Sequence, residues 1–271
     1  MIYQKKKFFS PVFFITIFFF SFLFAPAVSF ALTGGPDAFG YTFTDSTEPG
    51  GPTYNFEDIS VTGTPVVLGD DAVSGALPIG FPFSYYGTTY TAVYISSNGF
   101  LTFLPGSDDG CCTGRPLPTA DTWNGLIAGW WEDLDPPEGG TITYQTLGTA
   151  PNRRFIVQFQ DIQHWPSGNG SIFEFKLFET SYNIEVHYNR MNTDGGTHSA
   201  GIENQGGNDG LQYYIGPAAI AAIAPLAVLY SPPAAVAAPV ATIPTMTEWG
   251  MIGFMILAGL LAVLTLRKRR I

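Results

Sequence analysis

The sequence predicts an all-β protein whose main domain is an antiparallel two-sheet β-sandwich. Runs of alternating apolar and polar residues have the length of strands, and Gly (31) and Pro (21) separate them. No helical periodicity occurs outside the two ends, and so much Gly and Pro disfavours long helices. We expect this ectodomain over residues 32–230, between an N-terminal signal peptide and a single C-terminal transmembrane helix.

Three hairpins are predicted from local patterns. Residues 173–177 and 184–188 alternate so that one face of the pair is apolar and the other, with Lys176 and Glu185, is wet. Asn98-Gly99 favours a tight turn between 92–95 and 100–103. The third pair joins 141–144 to 155–159. Further strands are expected at 54–59, 65–68, 126–131, 200–204, 211–215 and 226–230.

The charge distribution excludes nucleic acid as a partner. Residues 32–250 hold 5 basic residues against all 22 acidic ones, which leaves a formal charge of −17. A phosphate backbone needs Lys and Arg to displace its counterions. Solubility outside the cell explains the acidity, and Ca²⁺ binding is the alternative explanation.

The N-terminus has the three parts of a secretion signal. Three Lys residues at positions 5–7 precede an apolar run of 13 residues, 12–24, which Pro26 ends. Ser29-Phe30-Ala31 is a small-x-small site, so we expect cleavage after Ala31, with 25–27 as a second site. The expected partners are the Sec translocon and signal peptidase. An uncleaved anchor is the alternative.

The C-terminus reads as a membrane anchor. Residues 250–266 form 17 positions without charge, Trp249 marks their outer edge, and 267–270 are all basic. A basic cluster of this kind stays in the cytoplasm, so the preceding domain lies outside it. Residues 231–242, rich in Ala and Pro, form an extended spacer.

The same tail resembles the IPTL-CTERM sorting signal. The matching residues, followed by the apolar helix and basic stop over residues 243–271, are Ile243, Pro244, Thr245, Trp249 and Gly250, with Met246 in place of the family's Leu. The resemblance implies an exosortase-type protease in a Gram-negative bacterium. It also implies an inner-membrane-anchored precursor that is later moved to the cell surface or released.

The middle of the chain resembles the extracellular NIDO domain of nidogen. The first block is 79–83, Tyr86-Gly87 and 93–101, and the second is 126–135 followed by 139–144, with Gly129-Trp130 where the family has Pro-Phe. The resemblance implies an extracellular β-sandwich used in adhesion or matrix assembly. It brings no catalytic residues with it.

Three acidic residues after one predicted strand are the metal candidates. Glu132, Asp133 and Asp135 supply the oxygen ligands that Ca²⁺ prefers. The alternative is a strand end with solvated acids and an Asp135-Pro136 turn. We expect no cofactor other than calcium.

The remaining candidate groups do not indicate catalysis. His164, His187 and His198 fit no zinc motif, so we expect ordinary surface or hydrogen-bonded histidines. No Gly-x-Ser-x-Gly elbow occurs, although a spatial triad or carboxylate pair would leave no local signature. We therefore expect a non-catalytic envelope protein. A carbohydrate- or calcium-binding module and a secreted hydrolase are the alternatives.

Two pairs of adjacent residues, one of Cys and one of Trp, are further candidates for a structural or binding role. Cys111 and Cys112 predict a vicinal disulfide in an oxidising compartment, or intermolecular bridges as the alternative. Trp130 and Trp131 are neighbours on a strand, so one of them should face away from the core and serve as an anchor for a surface glycan or protein ligand.

Overall fold

The structure is a computed structural model that describes residues 33–166, 168–217, 224–234 and 246–269. The expected signal peptide and its cleavage site after Ala31 lie outside the described residues. So do most of the spacer and the motif residues Ile243, Pro244 and Thr245.

Fifteen strands and one long helix make up the described part of the chain. In chain order they are β1 (Thr33–Gly34), β2 (Thr42–Asp45), β3 (Thr64–Val66), β4 (Leu77–Tyr85), β5 (Thr88–Ile95), β6 (Phe100–Thr102), β7 (Leu126–Trp131), β8 (Leu134–Asp135), β9 (Thr141–Leu147), β10 (Arg154–His164), β11 (Ser171–Phe178), β12 (Ile184–Arg190), β13 (His198–Glu203), β14 (Gly210–Gly216), β15 (Leu226–Ser231) and α1 (Met246–Lys268). A short 3-10 helix, Pro136–Glu138, follows β8.

The strands form two antiparallel sheets, which confirms the predicted fold class. The larger sheet has the order β1-β2-β15-β12-β11-β10-β9-β3, with β8 paired to β10. The smaller sheet has the order β14-β13-β7-β6-β5-β4. One apolar core includes side chains from both sheets. The architecture is that of a sandwich.

All three predicted hairpins are present with the expected pairing. Lys176 lies opposite Glu185 in the β11–β12 pair, and Ile95 lies opposite Leu101 across the Asn98-Gly99 turn. Gly99 has a φ of 79°, the positive value that the turn requires. Strands β9 and β10 pair in a continuous register.

The outer face of the β11–β12 hairpin is not wet, contrary to the prediction. Glu174, Lys176 and His187 on this face are all buried. A segment that includes residues 55–59 lies over them. The predicted strand at 54–59 is also wrong, because this segment has no ladder partner in the described structure.

The covering segment uses side chains of the sheet instead of a neighbouring strand. The Glu57 amide donates to Glu174 Oε1 at 2.9 Å, and the Ile59 amide donates to Gln158 Oε1 at 2.6 Å. Lys176 forms ion pairs with Glu57 at 3.0 Å and with Glu174 at 3.1 Å rather than with Glu185. Backbone groups that a strand would have paired are satisfied in this way.

Both Trp130 and Trp131 are buried, so the expectation that one faces solvent is wrong. Trp130 belongs to the main core, and Trp131 packs in a second apolar cluster with Phe100 and Leu117. The connection between β6 and β7 folds over this outer face. Its Gly110 carbonyl accepts a hydrogen bond from Trp131 Nε1 at 2.7 Å.

Helix α1 is long and apolar enough to cross a membrane. Its stretch Trp249–Lys268 has 20 residues with a mean hydropathy of 2.2, and its side chains are exposed. At 1.5 Å per residue this stretch is about 30 Å long, the thickness of a hydrocarbon core. It contains the predicted span 250–266.

Gly129 in β7 lies in close contact with an aromatic side chain of the facing sheet. A Cβ atom at this position would lie 2.5 Å from Cζ and 2.8 Å from Cε1 of Phe175 in the facing sheet. Phe175 is fully buried and cannot move without disturbing its neighbours. The Gly that replaces the Pro of the nidogen pattern therefore makes room for a phenyl ring.

We predict that Gly129→Ala lowers the free energy of unfolding by about 1–3 kcal/mol through overpacking. Gly75→Ala is the control, because no atom lies within 4 Å of its added Cβ. Chemical denaturation of both variants measures the difference. Equal stability of Gly129→Ala and the wild type would contradict this description of the core.

Candidate functional site

Two groups of acidic, histidine and cysteine side chains lie next to each other at the end of β7. Asn98 organises this region from its buried position in the β5–β6 turn. Its Nδ2 donates to Asp71 Oδ1 at 2.9 Å, and its Oδ1 accepts from the Leu134 amide at 2.9 Å. One side chain therefore fixes the Asp71 turn relative to the segment that follows β7.

A shallow acidic pocket opens on the outer side of this region. It has a volume of about 250 Å³ and is lined by Asp70, Asp71, Cys112, Asp133 and Trp165. The indole of Trp165 is 52 % exposed. The Trp165 amide donates to the Asp133 carbonyl at 3.0 Å, which fixes the ring at the pocket's edge. The pocket therefore combines an apolar ring surface with carboxylates that accept hydrogen bonds.

The carboxylates of this pocket repel one another. Partial burial, and then the charges of Asp71, Asp70, Glu132 and Asp135, raise the pKa of Asp133 to about 6. Burial and neighbouring acids also raise the pKa of Asp70. The pocket is therefore a region of concentrated negative charge.

The three predicted calcium ligands do not face the same space. Asp133 lines the pocket, whereas Glu132 is 3 % exposed and points into the domain. Asp135 is buried, and its Oδ1 has no hydrogen-bond partner among the described residues. Adjacent residues of an extended chain point to opposite sides, which separates Glu132 from Asp133. Calcium binding by these residues stays a prediction.

Cys111 and Cys112 form a disulfide with each other in the loop beside the pocket. The Cys111 amide donates to Asp109 Oδ1 at 3.0 Å, and the Asp109 carbonyl accepts from Ser96 Oγ. The bridge therefore lies in a loop that is hydrogen-bonded to the β5–β6 turn.

Glu132 enters a buried cluster with two histidines. His164 ends β10, His198 begins β13, and both rings are at most 1 % exposed. Glu132 Oε1 contacts His164 Nδ1, and Glu132 Oε2 lies 3.1 Å from His198 Nε2. Asp194, on the loop before β13, places Oδ1 3.5 Å from the same His198 nitrogen.

The outer ring nitrogens of both histidines face backbone carbonyls. His164 Nε2 lies 2.9 Å from the Asn192 oxygen, and His198 Nδ1 lies 3.3 Å from the Gly216 oxygen. Trp130 stacks on His198 with 4.2 Å between ring centroids, and its Nε1 donates to Glu132 Oε1 at 3.0 Å. Burial lowers the pKa of His164, but the Glu132 carboxylate outweighs it and raises this pKa overall.

Sequence reasoning missed this cluster. The prediction was ordinary surface or hydrogen-bonded histidines. All three are buried, so the surface alternative is wrong, whereas each ring is hydrogen-bonded as expected. His187 is separate from the cluster and pairs with Glu185 at 2.8 Å. Glu132, His164 and His198 are 32 and 34 residues apart in sequence, so no local spacing relates them. Their one shared signal is position, since each lies at the end of a strand.

The described part of the chain is an all-β domain with two polar sites, followed by an apolar helix. A family model described as NIDO related matches residues 40–236, and the chain belongs to this family. The match covers the β domain almost completely and confirms the resemblance to NIDO domains, which are extracellular-type β domains. No solved structure matches the chain.

A buried carboxyl outside both sites gives the domain a pH dependence. Glu203 in β13 is 1 % exposed, and its Oε2 accepts from the Thr119 amide at 2.9 Å. Its Oε1 has no hydrogen-bond partner among the described residues. Burial, and secondarily the charge of Asp121, raise the pKa of Glu203 to about 8. The folded state therefore retains a proton that the unfolded chain releases near its ordinary pKa of about 4.3.

We predict that stability falls as the pH rises from about 5 to 8, because the folded state binds the extra proton in this interval. The contribution of Glu203 is full below the unfolded pKa and is lost as the pH passes through the folded pKa. Its slope is at most about 1.4 kcal/mol per pH unit. Glu203→Gln should flatten the curve, and the exposed Glu138→Gln should not. Parallel curves for Glu203→Gln and wild type in urea denaturation would refute the assignment.

Proposed function

We propose that this protein is an exported, non-catalytic envelope protein that acts in adhesion or extracellular matrix assembly. One observation carries the proposal: a NIDO-related domain is followed by an apolar helix whose side chains are exposed. An exposed helix of this kind is stable in a lipid bilayer rather than in water. The basic residues 267–270 beyond it favour an orientation with the β domain outside the cytoplasm.

The proposed route of export follows from the two ends. A signal peptide cleaved after Ala31 delivers the chain through the Sec translocon, and α1 retains it as an inner-membrane precursor. An exosortase-type protease of a Gram-negative bacterium then recognises the tail of residues 243–271. The motif residues Trp249 and Gly250 are exposed at the start of α1, where a membrane protease can contact them.

We predict that the full-length chain, produced in its own host, fractionates with membranes before processing, and that its domain is digested by protease added to spheroplasts. A chain lacking the last 29 residues should appear as a soluble, exported species. A full-length product that stays soluble in the cytosol would contradict the proposal.

Processing is tested by a matched pair of proline substitutions in the same experiment. Pro244→Ala changes the motif and should leave the longer precursor in the membrane, while Pro239→Ala changes only the spacer and should be processed normally. Equal processing of the two variants would remove the exosortase-type step.

A second candidate function is carbohydrate binding at the acidic pocket. The observation that favours it is Trp165, whose exposed ring lies beside Asp71 and Asp133 in a single pocket. A sugar can stack its apolar face on the indole while its hydroxyl groups donate to the carboxylates. Such recognition is one physical means of adhesion to a glycan matrix.

We predict that Trp165→Ala lowers binding of the full chain to its glycan ligands on an array at least tenfold, because the stacking surface is lost. Val67→Ala is the control, since Val67 is 93 % exposed and lies outside the pocket. An array on which the wild type binds no glycan would exclude this second function.

A further inference from the structure

The hydrogen bonds of the buried cluster determine which nitrogen of each histidine bears a proton. A carbonyl oxygen only accepts, so His164 Nε2 and His198 Nδ1 donate to Asn192 and Gly216. A neutral imidazole has one N–H group. Its other nitrogen, Nδ1 of His164 and Nε2 of His198, is then a lone pair.

These two lone pairs face the Glu132 carboxylate, which is also an acceptor. Both nitrogens are buried and neither has a hydrogen-bond partner among the described residues, although each lies close to a Glu132 oxygen. Acceptors that face one another in a dry interior repel unless something positive lies between them. A proton on one histidine satisfies one contact, whereas a central cation satisfies both.

A single divalent cation would also balance the charge of the cluster. Glu132 and Asp194 contribute two negative charges, which neutral imidazoles leave uncompensated; the alternative to a metal is a proton on each of the two histidines. Within the described ranges, neither acid forms an ion pair with Lys or Arg. By contrast, the partly buried Glu57 at the outer face of the larger sheet forms ion pairs with Lys176 and Arg154. A divalent cation would make the Glu132 cluster neutral.

We propose that Glu132, His164, His198 and Asp194 bind one divalent transition-metal ion, with zinc, the usual metal of closed four-ligand sites, as the ion to test. One donor atom from each residue lies within 4.8 Å of the others. Two of the separations to His198 Nε2 are 3.1 and 3.5 Å. Tetrahedral zinc with bonds of about 2.0–2.2 Å spaces its ligands by roughly 3.3–3.6 Å.

The donor chemistry selects against calcium and magnesium. Those ions take oxygen ligands, and two of the four donors here are imidazole nitrogens, which suit zinc, copper, nickel or iron. The hydrogen bonds around the two histidines are also those expected at a metal site, because each histidine donates its other N–H to a backbone carbonyl. Asn192 is itself fixed, since its amide groups bond Ser171 and Gly170.

The site is of the structural type. Glu132, His164 and His198 are buried, and Asp194 closes the side nearest the surface. Four protein ligands leave no position for water, as in structural zinc sites. The ion would join the ends of β7, β10 and β13 and fix the loop that contains Asp194.

A neighbouring group of possible ligands is less suited to bind a metal ion. Donor atoms of Asp71, Asp133, Cys111 and Cys112 also lie within 4.8 Å of one another. The two sulfur atoms are joined in a disulfide, and a metal requires thiolates. The histidine cluster is therefore the stronger site in an oxidising compartment.

The test is metal analysis of the full chain purified in detergent, stripped with a chelator and reloaded with zinc alone. We expect one zinc per wild-type chain by elemental analysis, and less than a tenth of that in His164→Gln and His198→Gln. His187→Gln is the matched control, because His187 is equally buried but has both ring nitrogens hydrogen-bonded. It should bind zinc like the wild type.

A second measurement does not depend on the folding of the variants. Zinc at about 100 times its Kd should raise the thermal midpoint of the wild type by about 5–10 °C. Calcium at the same concentration, with zinc absent, should not. The proposal is overturned if the wild type binds no zinc, if zinc leaves its midpoint unchanged, or if both histidine variants retain full stoichiometry.

Discussion

Burial of β7 on both faces is the constraint that the rest of the domain satisfies. All six of its residues are buried, with Trp130 in the core between the sheets and Trp131 in the cluster outside them. A strand in this position needs a cover on each side. The larger sheet provides one, and the connection after β6 provides the other, where Arg115 lies 4.0 Å over the Trp123 ring that packs against Trp131. The close approach at Gly129 follows from the same packing.

Because β7 is buried to its end, the polar residues that follow it begin inside the domain. Glu132 cannot reach water and must be neutralised where it lies, whereas Asp133 emerges into the acidic pocket. The domain meets the same requirement elsewhere with its own cations, since Glu174 is buried against Lys176. Unpaired buried charge is too costly to retain, so a carboxylate inside the fold needs a partner or, like Glu203, keeps its proton. At Glu132 the neighbours are two histidine nitrogens without hydrogen-bond partners among the described residues, and the inference of a bound metal rests on these.

The features that the sequence predicts correctly are those that depend on residues close to one another in the chain. Alternation in β11 and β12 and the Asn98-Gly99 turn fix pairing locally, and these hairpins are present. The prediction of a strand at 54–59 was wrong because the partners of this segment, Glu174 and Gln158, are about 100 residues away in sequence. The same holds for the site: proximity of Glu132 to His164 and His198 depends on three strand ends meeting in space. Trp131 was misplaced because the covering loop has no periodic pattern.

The apolar helix and the β domain impose separate physical requirements on one chain. The exposed apolar side chains of the helix would be stabilised by lipid, and the domain is stabilised by its own core and by the pairing of its buried charges. The proposed location outside the cytoplasm would keep the domain away from the reducing agents that open a disulfide such as Cys111–Cys112. A metal at the end of β7 would add rigidity beside the acidic pocket, which suits the proposed adhesive role.

X-ray absorption at the zinc edge of the metal-loaded full chain tests most directly whether β7 delivers Glu132 to a buried cation. We expect nitrogen and oxygen ligands at about 2.0–2.2 Å with the scattering pattern of two imidazoles and no sulfur. Sulfur ligands at about 2.3 Å, or a shell of water without imidazole, would contradict this expectation.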